Sequence, residues 1–440
     1  MALFGTDGVR GKANQELTPD LALQLGKAFA RYLKKTKFNE PVIIGKDTRI
    51  SSDMLEAAVA SGIASEGFKV IELGVVPTAV VSFLCKEGDF SGGVMVSASH
   101  NPFFDNGIKF FNWQGFKLSE AEEEKVENLM TSSLPAPTGE GIGDIRQDIK
   151  KIDIYVNWLK SLYLLPYLDL RIVLDCANGS TSFCAPKVFS QITKNLIILN
   201  NTPDGTNINL NCGSTDTKAI QQKVKETHSQ VGFAFDGDGD RVIAIDEEGA
   251  VVDGDQIIGI IAVYLKQKNQ LKKDKVVTTI MSNLGLEETL KTYKIALIRT
   301  PVGDRNVLEL MLREELILGG EQSGHIILLE KAFTGDGLLT ALQVLEIMYQ
   351  TGKTLRELAS IFPRYPQLLI NVPIRDRQKF YSSPLQNILE EEERTFSGRI
   401  VVRPSGTQPL IRVMVEGKDY QIVKEKANKL VDIIKRICVE

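Results

Sequence analysis

Short apolar runs at residues 41–45, 69–73 and 93–96 are separated by stretches whose apolar residues recur at helical spacing, and this alternation constrains the fold more than any other feature. A parallel strand can be rejoined only by a crossover long enough to hold a helix, so the pattern predicts βαβ units, right-handed crossovers and a largely parallel sheet. The first helix is marked by Thr18-Pro19 followed by Leu21, Leu25, Phe29 and Leu33, a capping residue and a first-turn proline ahead of one apolar face. A second is expected over residues 52–66, ended by Gly67. The last run delivers the chain to Ser97-Ala98-Ser99-His100-Asn101-Pro102, and loops at the carboxyl ends of such strands are where α/β sheets place ligands.

A chain of 440 residues is too long for one core of ordinary size, so several domains are expected. Residues 131–148 are rich in Pro, Gly, Ser and Thr and read as an exposed loop or a boundary. A helix follows near residues 155–165, then strands at 171–174, 196–199, 231–235 and 242–245, the last two pairing around a tight acidic loop. A third unit starts near residue 253, with strands at 276–280 and 316–318 and helices at 256–267, 284–293 and 337–349. Beyond Phe362-Pro363-Arg364-Tyr365-Pro366 the pattern becomes strand, helix, two strands and helix, a small α+β domain. The expected division is 1–152, 153–252, 253–365 and 366–440.

Hydrophobic residues make up 43% and charged residues 25% of the chain, as in soluble globular proteins. The net charge of −4 is interspersed and forms no basic stripe, so nucleic acid is not an expected partner. No apolar run approaches the roughly 20 residues of a membrane span, and the opening residues, with Gly5, Asp7, Gly8 and Arg10, do not read as a secretory signal. Five scattered cysteines without a C-x-x-C pair fit a reducing, cytoplasmic setting.

The sharpest local signal is Asp236-Gly237-Asp238-Gly239-Asp240-Arg241, three carboxylates alternating with glycines that let the backbone curl them around one hard cation. An EF-hand loop competes, since Glu247 falls at its twelfth position, but Arg241 stands where that loop needs glycine and the flanks are β-rich. The bland alternative is an acidic hairpin turn. Magnesium would fill the remaining coordination room with water or a phosphate oxygen.

Ser99, beside His100 at a strand end, is the candidate nucleophile, although Ser, Asn and Pro also favour plain turns and no G-x-S-x-G elbow surrounds it. Lys109, ten residues on, can supply charge or relay a proton. Arg403-Pro404-Ser405-Gly406-Thr407 can wrap an anion with side-chain and backbone donors, and Arg412, off the apolar row Ile411, Val413 and Val415, can add a second cation. A polar hairpin turn is its bland reading. Gly319-Gly320-Glu321-Gln322-Ser323-Gly324-His325 sets a carboxylate, an amide, a hydroxyl and an imidazole between glycines, a set suited to sugar hydroxyls. Near the start, Thr6, Arg10 and Lys12 occupy a glycine-rich polar loop that can reach an anion or be an ordinary terminus.

Taken in order, Gly5 to Gly11, Ser97 to Pro102, Asp236 to Arg241, Gly319 to His325 and Arg403 to Thr407 resemble the α-D-phosphohexomutase superfamily across the whole chain. Asn207-Ile208-Asn209 with Cys212-Gly213-Ser214-Thr215, Pro301-Val302-Gly303-Asp304-Arg305 and Thr334-Gly335-Asp336-Gly337-Leu338-Leu339 look like its bacterial phosphoglucosamine mutase branch. The resemblance implies three related α/β domains and a smaller C-terminal α+β domain, shaped like the TATA-box-binding protein, around a central cleft. It implies a phosphorylated Ser99 and one magnesium ion held by Asp236, Asp238, Asp240 and the Ser99 phosphate. Arg10, His100 and Lys109 would surround the reacting phosphoryl group, with Lys109 a general acid/base and His325 near the transferred proton. Glu321 and Ser323, with Arg241 beside them, would hold the sugar, and Arg403, Ser405, Gly406, Thr407 and Arg412 the phosphate that does not react. The implied activity is interconversion of glucosamine 6-phosphate and glucosamine 1-phosphate through a 1,6-bisphosphate, toward UDP-N-acetylglucosamine and cell-wall precursors. A homodimer is common among such relatives and is not written in these residues. The rivals are a glucose- or mannose-phosphate mutase, a phosphatase and a catalytically silent sugar-phosphate-binding protein. Gln408, Asp216 and Asn306 depart from the branch's pattern.

Overall fold

The computed structural model describes residues 3–5, 7–35, 39–132, 135–163, 165–374, 378–405 and 410–438. Among them four sheets form, of six, five, four and three strands. The six-stranded sheet runs in the order Val9–Lys12, Asp105–Asn112, Gly92–Val96, Val42–Lys46, Val70–Val75, Ile145–Gln147. Its Val42–Lys46 half is parallel, as the alternation predicts, but Asp105–Asn112 is antiparallel to both neighbours. The sheet is thus largely parallel as expected, five strands running one way and Asp105–Asn112 alone against them. Residues 97–104 are too few for a helical crossover, so the chain turns back on itself. Two further segments join this sheet as edge strands: residues 9–12, expected to be a polar loop, and residues 145–147, inside the stretch expected to be an exposed loop or boundary. Helix Pro19–Leu33 begins as its sequence indicates, with the Thr18 hydroxyl accepting from the Leu21 amide at 3.2 Å and Leu25, Phe29 and Leu33 buried.

The five-stranded sheet contains the expected antiparallel pair Val231–Phe235 and Val242–Ile245. In the four-stranded sheet, strands Ala296–Thr300 and Ile326–Leu328 and helix Asp304–Arg313 add to the elements expected there. The last unit is a three-stranded antiparallel sheet covered by helices Ser383–Thr395 and Tyr420–Cys438.

One hydrophobic core runs through the first three units, joining Phe83, Tyr155, Phe233 and Leu338, whereas the last unit packs around its own core of Val372, Val413, Leu430 and Ile434. Its attachment to the third unit is largely polar. Arg399 Nη2 donates to the Ser282 carbonyl at 2.6 Å, and the Leu284 amide donates to Glu416 Oε1 at 2.8 Å. Beside this joint, Asp255 is buried and accepts from the Asn283 amide at 2.7 Å. No helix of the described residues is long and apolar enough to cross a membrane.

Candidate active site

Each unit sends one polar loop from the carboxyl end of a strand. Gly92–Val96 leads into Ser99, Val231–Phe235 into Asp236, and Leu318–Gly320 into Glu321. The structure brings the first two together: Ser99 Oγ donates to Asp236 Oδ2 at 2.6 Å, and both residues are buried. Gly237 permits the approach, because a Cβ there would lie 2.5 Å from the Ser99 carbonyl oxygen. Ser99 itself has φ +51°, a left-handed backbone that a serine rarely adopts.

One carboxylate oxygen from each of Asp236, Asp238 and Asp240 lies within 4.8 Å of the others. Asp238 Oδ1 and Asp240 Oδ1 are buried and without hydrogen-bond partners. Burial pushes the Asp236 carboxyl well above the ordinary range, and the neighbouring Asp240 and Asp238 charges push it further. Orphaned oxygens and mutual repulsion both fit a hard divalent cation, whose charge and coordination would relieve them. Asp238 Oδ2 accepts from Thr78 Oγ1 at 2.7 Å and from Lys109 Nζ at 2.8 Å.

Lys109 projects from Asp105–Asn112 into this cluster, 3.0 Å from Asp7 and 3.9 Å from Asp240. Burial works against its charge, but Asp238, Asp7 and Asp240 outweigh burial and hold it above the usual lysine value. It is an ammonium here. Arg10 pairs with Asp7, and its Nη1 donates to the Ala98 carbonyl at 3.4 Å. Burial, then Arg241 and Arg10, lowers the His100 pKa to about 4, so this ring is neutral at physiological pH; its Nδ1 lies 3.4 Å from Ser99 Oγ.

The second loop is stitched to the third unit by backbone bonds, Val242 N to Gly324 O at 3.1 Å in the third loop and Gly337 N, at the start of helix Gly337–Thr351, to Gly239 O at 3.0 Å, with an Arg241–His325 bridge between. His325 Nδ1 lies 3.5 Å from Asp240 Oδ2, while the Gly335 amide donates to Nε2 at 3.0 Å, so the ring proton sits on Nδ1. Glu321 Oε1 accepts from the Gly303 amide at 3.2 Å. Arg10, His100, Asp240, Arg241, Glu321 and His325 together wall a cavity of about 440 Å³.

Ser323 and Lys12 are exposed and do not wall that cavity. Arg403, Ser405 and Arg412 also lie apart from it, on the last sheet, where Arg403 faces Arg412 directly across adjacent strands. Arg412 Nε is buried without a partner, and burial together with Arg412 pushes the Arg403 pKa down. Like charges so placed repel unless an anion sits between them. Ser405 is buried, its amide bonded to the Leu410 carbonyl at 2.8 Å. Thr6, Gly406, Thr407 and Gln408 fall outside the described residues. Asp216 accepts from the Lys218 amide at 3.3 Å, and Asn306 Nδ2 donates to the Val302 carbonyl at 3.0 Å.

Several contributors escape a residue-by-residue reading. Lys117 carries no local signal beyond a single charge, and Thr78 none at all; Asp7, Asp304 and Asn209 appear only inside family motifs. Lys117 Nζ lies 2.5 Å from Asp7 and 2.6 Å from Asp304, tying the first unit to the third.

Comparison with known proteins gives this arrangement its lineage. Family models described as phosphoglucomutase/phosphomannomutase alpha/beta/alpha domains I, II and III match residues 1–135, 147–249 and 253–365, and the model of the C-terminal domain matches residues 369–433. The chain is 48% identical over 440 residues to the phosphoglucosamine mutase of Carboxydothermus hydrogenoformans, and 47% identical over 440 residues to that of Natranaerobius thermophilus, covering 99% of each partner in both pairs. The chain belongs to the phosphoglucosamine mutase family. Among solved structures, a phosphoglucomutase/phosphomannomutase family protein from Burkholderia thailandensis aligns with TM-score 0.82 at 21% identity, covering 99% of this chain and 97% of that one. The Aspergillus fumigatus N-acetylphosphoglucosamine mutase, solved with GlcNAc-6P and magnesium, aligns with TM-score 0.71 at 17% identity, covering 99% and 96%. These likenesses establish the phosphohexomutase fold for this member of the phosphoglucosamine mutase family: three α/β units and a small α+β unit.

Proposed function

We propose that this protein interconverts glucosamine 6-phosphate and glucosamine 1-phosphate, with a phosphorylated Ser99 as donor and magnesium as the metal. The observation that carries the reading is the Ser99 hydroxyl hydrogen-bonded to Asp236 within the buried aspartate triad. The sugar's C1 hydroxyl attacks the phosphorus on Ser99; the new O1–P bond forms as the Oγ–P bond breaks, and the proton lost by the hydroxyl makes good the one that Lys109 gives to the serine oxygen, leaving a 1,6-bisphosphate and a free serine. After the sugar turns around, Ser99 Oγ takes the C6 phosphoryl group and releases the C6 hydroxyl. Asp236, Asp238 and Asp240 would hold the magnesium, which supplies charge stabilisation to the peripheral phosphoryl oxygens.

The chain's own residues do the rest. Lys109 and Arg10 would offset negative charge beside Ser99, and Lys109, an ammonium bonded to Asp238 of the triad, would give a proton to the departing serine oxygen. His325 exchanges a proton through Nδ1 near the sugar, while Glu321 and Ser323 hold hydroxyls and Arg241 the sugar phosphate's edge. Arg403, Ser405, Gly406, Thr407 and Arg412 hold the phosphate that is not reacting, in either orientation. The division at residues 152/153, 252/253 and 365/366 gives each unit one part of this set. The separate core and polar attachment of the last unit support its closing over the cleft, which also keeps water from the phosphoserine. Five buried cysteine thiols support a cytoplasmic setting.

Product analysis with glucosamine 6-phosphate, glucose 6-phosphate and mannose 6-phosphate tests the reading, alongside the mass of the native protein. Glucosamine 1-phosphate is expected as the main product, with one phosphoryl group on Ser99. Release of inorganic phosphate alone would identify a phosphatase, and binding without turnover a silent relative.

A further inference from the structure

Ser99 must hold a left-handed backbone to aim its hydroxyl at Asp236, and something has to hold it there. Behind the loop, away from the cavity, lies an ion pair whose side chains are both 0% exposed: Arg49 Nε donates to Asp47 Oδ2 at 2.8 Å. Arg49 spreads the rest of its fork over the nucleophile loop. Nη2 donates to the Ser99 carbonyl at 2.9 Å and the Asn101 carbonyl at 2.8 Å, and Nη1 to the Asp105 carbonyl at 3.1 Å and to that of Pro102. Asp47 reaches the same residue from the other side. Its Oδ2 accepts from Ser97 Oγ at 2.6 Å, and Ser97 Oγ accepts from the Ser99 amide at 2.9 Å.

We propose that the Asp47–Arg49 pair, with Ser97 as its relay, is a positioning device that fixes both backbone polar groups of Ser99 and so fixes the direction of its hydroxyl. None of the three touches Ser99 Oγ or walls the cavity, so they act on the reaction only through Ser99. A guanidinium suits the role because its rigid planar fork directs five donors outward, enough to hold the Asp47 carboxylate and four carbonyls together, whereas a lysine ammonium offers three donors on one freely turning centre. From the second unit, Asn209 Nδ2 adds a donor to the Ser99 carbonyl at 2.9 Å, so the same oxygen is gripped from two units. The inference rests on Ser99 as the phosphoryl carrier and goes beyond it to what makes that serine competent.

The test compares steady-state turnover of glucosamine 6-phosphate by the full-length parent, Ser97→Ala and Arg49→Lys. Ser97→Ala removes one small hydroxyl and cuts the relay while leaving the ion pair intact. Both variants are expected to lose kcat by about 100-fold, the scale of a misplaced reacting group, at unchanged KM, with Ser97→Ala still unfolding cooperatively at a melting temperature modestly below the parent's because the Ser99 amide loses its acceptor. Parental kcat in Ser97→Ala overturns the proposal, even if Arg49→Lys fails to fold. A rise in KM at parental kcat overturns it too. An inactive parent would sink the functional reading and the clamp with it, whereas an active parent with an unaffected Ser97→Ala sinks the clamp alone.

Discussion

Lys117 of the first unit lies 2.6 Å from Asp304 of the third, and its second carboxylate partner, Asp7, is the residue that also pairs with Lys109 and Arg10. One part-buried ammonium thus fastens two units at the point where the cleft's charges are set. Burial disfavours its charge, yet Asp304 and Asp7 more than offset this and raise its pKa.

Lys117→Met leaves two carboxylates facing each other without their cation. Loss of one partner from such a network should destabilise the protein by about 3 kcal/mol. Urea unfolding at neutral pH checks this, and Lys117→Arg should recover part of the loss. Turnover should fall as well, because Asp7 is then left to Lys109 and Arg10 alone and the tie between the first and third units is lost.

The aspartate triad repels itself, so a bound divalent cation should stabilise the fold as well as support catalysis. Melting temperature should rise when magnesium is added to chelator-treated protein, and turnover should return with it. Asp238→Asn should blunt the thermal shift and lower kcat on the order of 10²- to 10³-fold, the equivalent of several kcal/mol of lost charge stabilisation.

Arg403 and Arg412 face each other across adjacent strands. If a phosphate is what reconciles them, Arg412→Ala should raise KM for the sugar phosphate by about 10- to 100-fold, the worth of one charge-assisted hydrogen bond, with a smaller change in kcat. Melting temperature should hold or rise as the repulsion is relieved. A parental KM would remove this sheet from substrate binding.

Burial, reinforced by Asp253, pushes the Asp255 carboxyl up from 3.8 to about 7. Between those values the folded protein keeps a proton that the unfolded chain has lost, so stability falls as pH rises, by up to about 1.4 kcal/mol per pH unit from this group. Asp255→Asn removes the titration, and its Oδ1 can still accept from the Asn283 amide. The variant should gain on the parent as pH increases, which urea unfolding at pH 5 and pH 7.5 would reveal.

The acidic loop was readable because three carboxylates alternating with glycines between two β-rich runs leave few other uses, and the triad forms where that reading put it. The alternation of apolar runs pointed to the parallel strands of the first sheet but not to Asp105–Asn112, the one strand that runs against them. What decides that strand's direction is the short connection from residue 97 to 104, a matter of length rather than composition. Arg412 was readable as lying off the apolar row, since Ile411, Val413 and Val415 are indeed buried, but its position opposite Arg403 depends on strand register. Arg49 and Lys117 were unreadable for a different reason. A lone basic residue looks like a solvated charge until tertiary packing buries it, and nothing local separates Arg49, whose side chain is fully enclosed, from any arginine on the surface.

Backbone bonds join the acidic loop region to the third unit at two places, Val242 to Gly324 of the glycine-rich loop and Gly337, the first residue of helix Gly337–Thr351, to Gly239, so the two sides of the site are coupled. Around a closed equilibrium cycle, the factor by which a divalent ion improves the hold on a hexose ester must equal the factor by which that ester improves the hold on the ion. Two independent titrations are therefore obliged to return one ratio, and the supply of ion in the cell becomes a dial on the effective appetite for sugar.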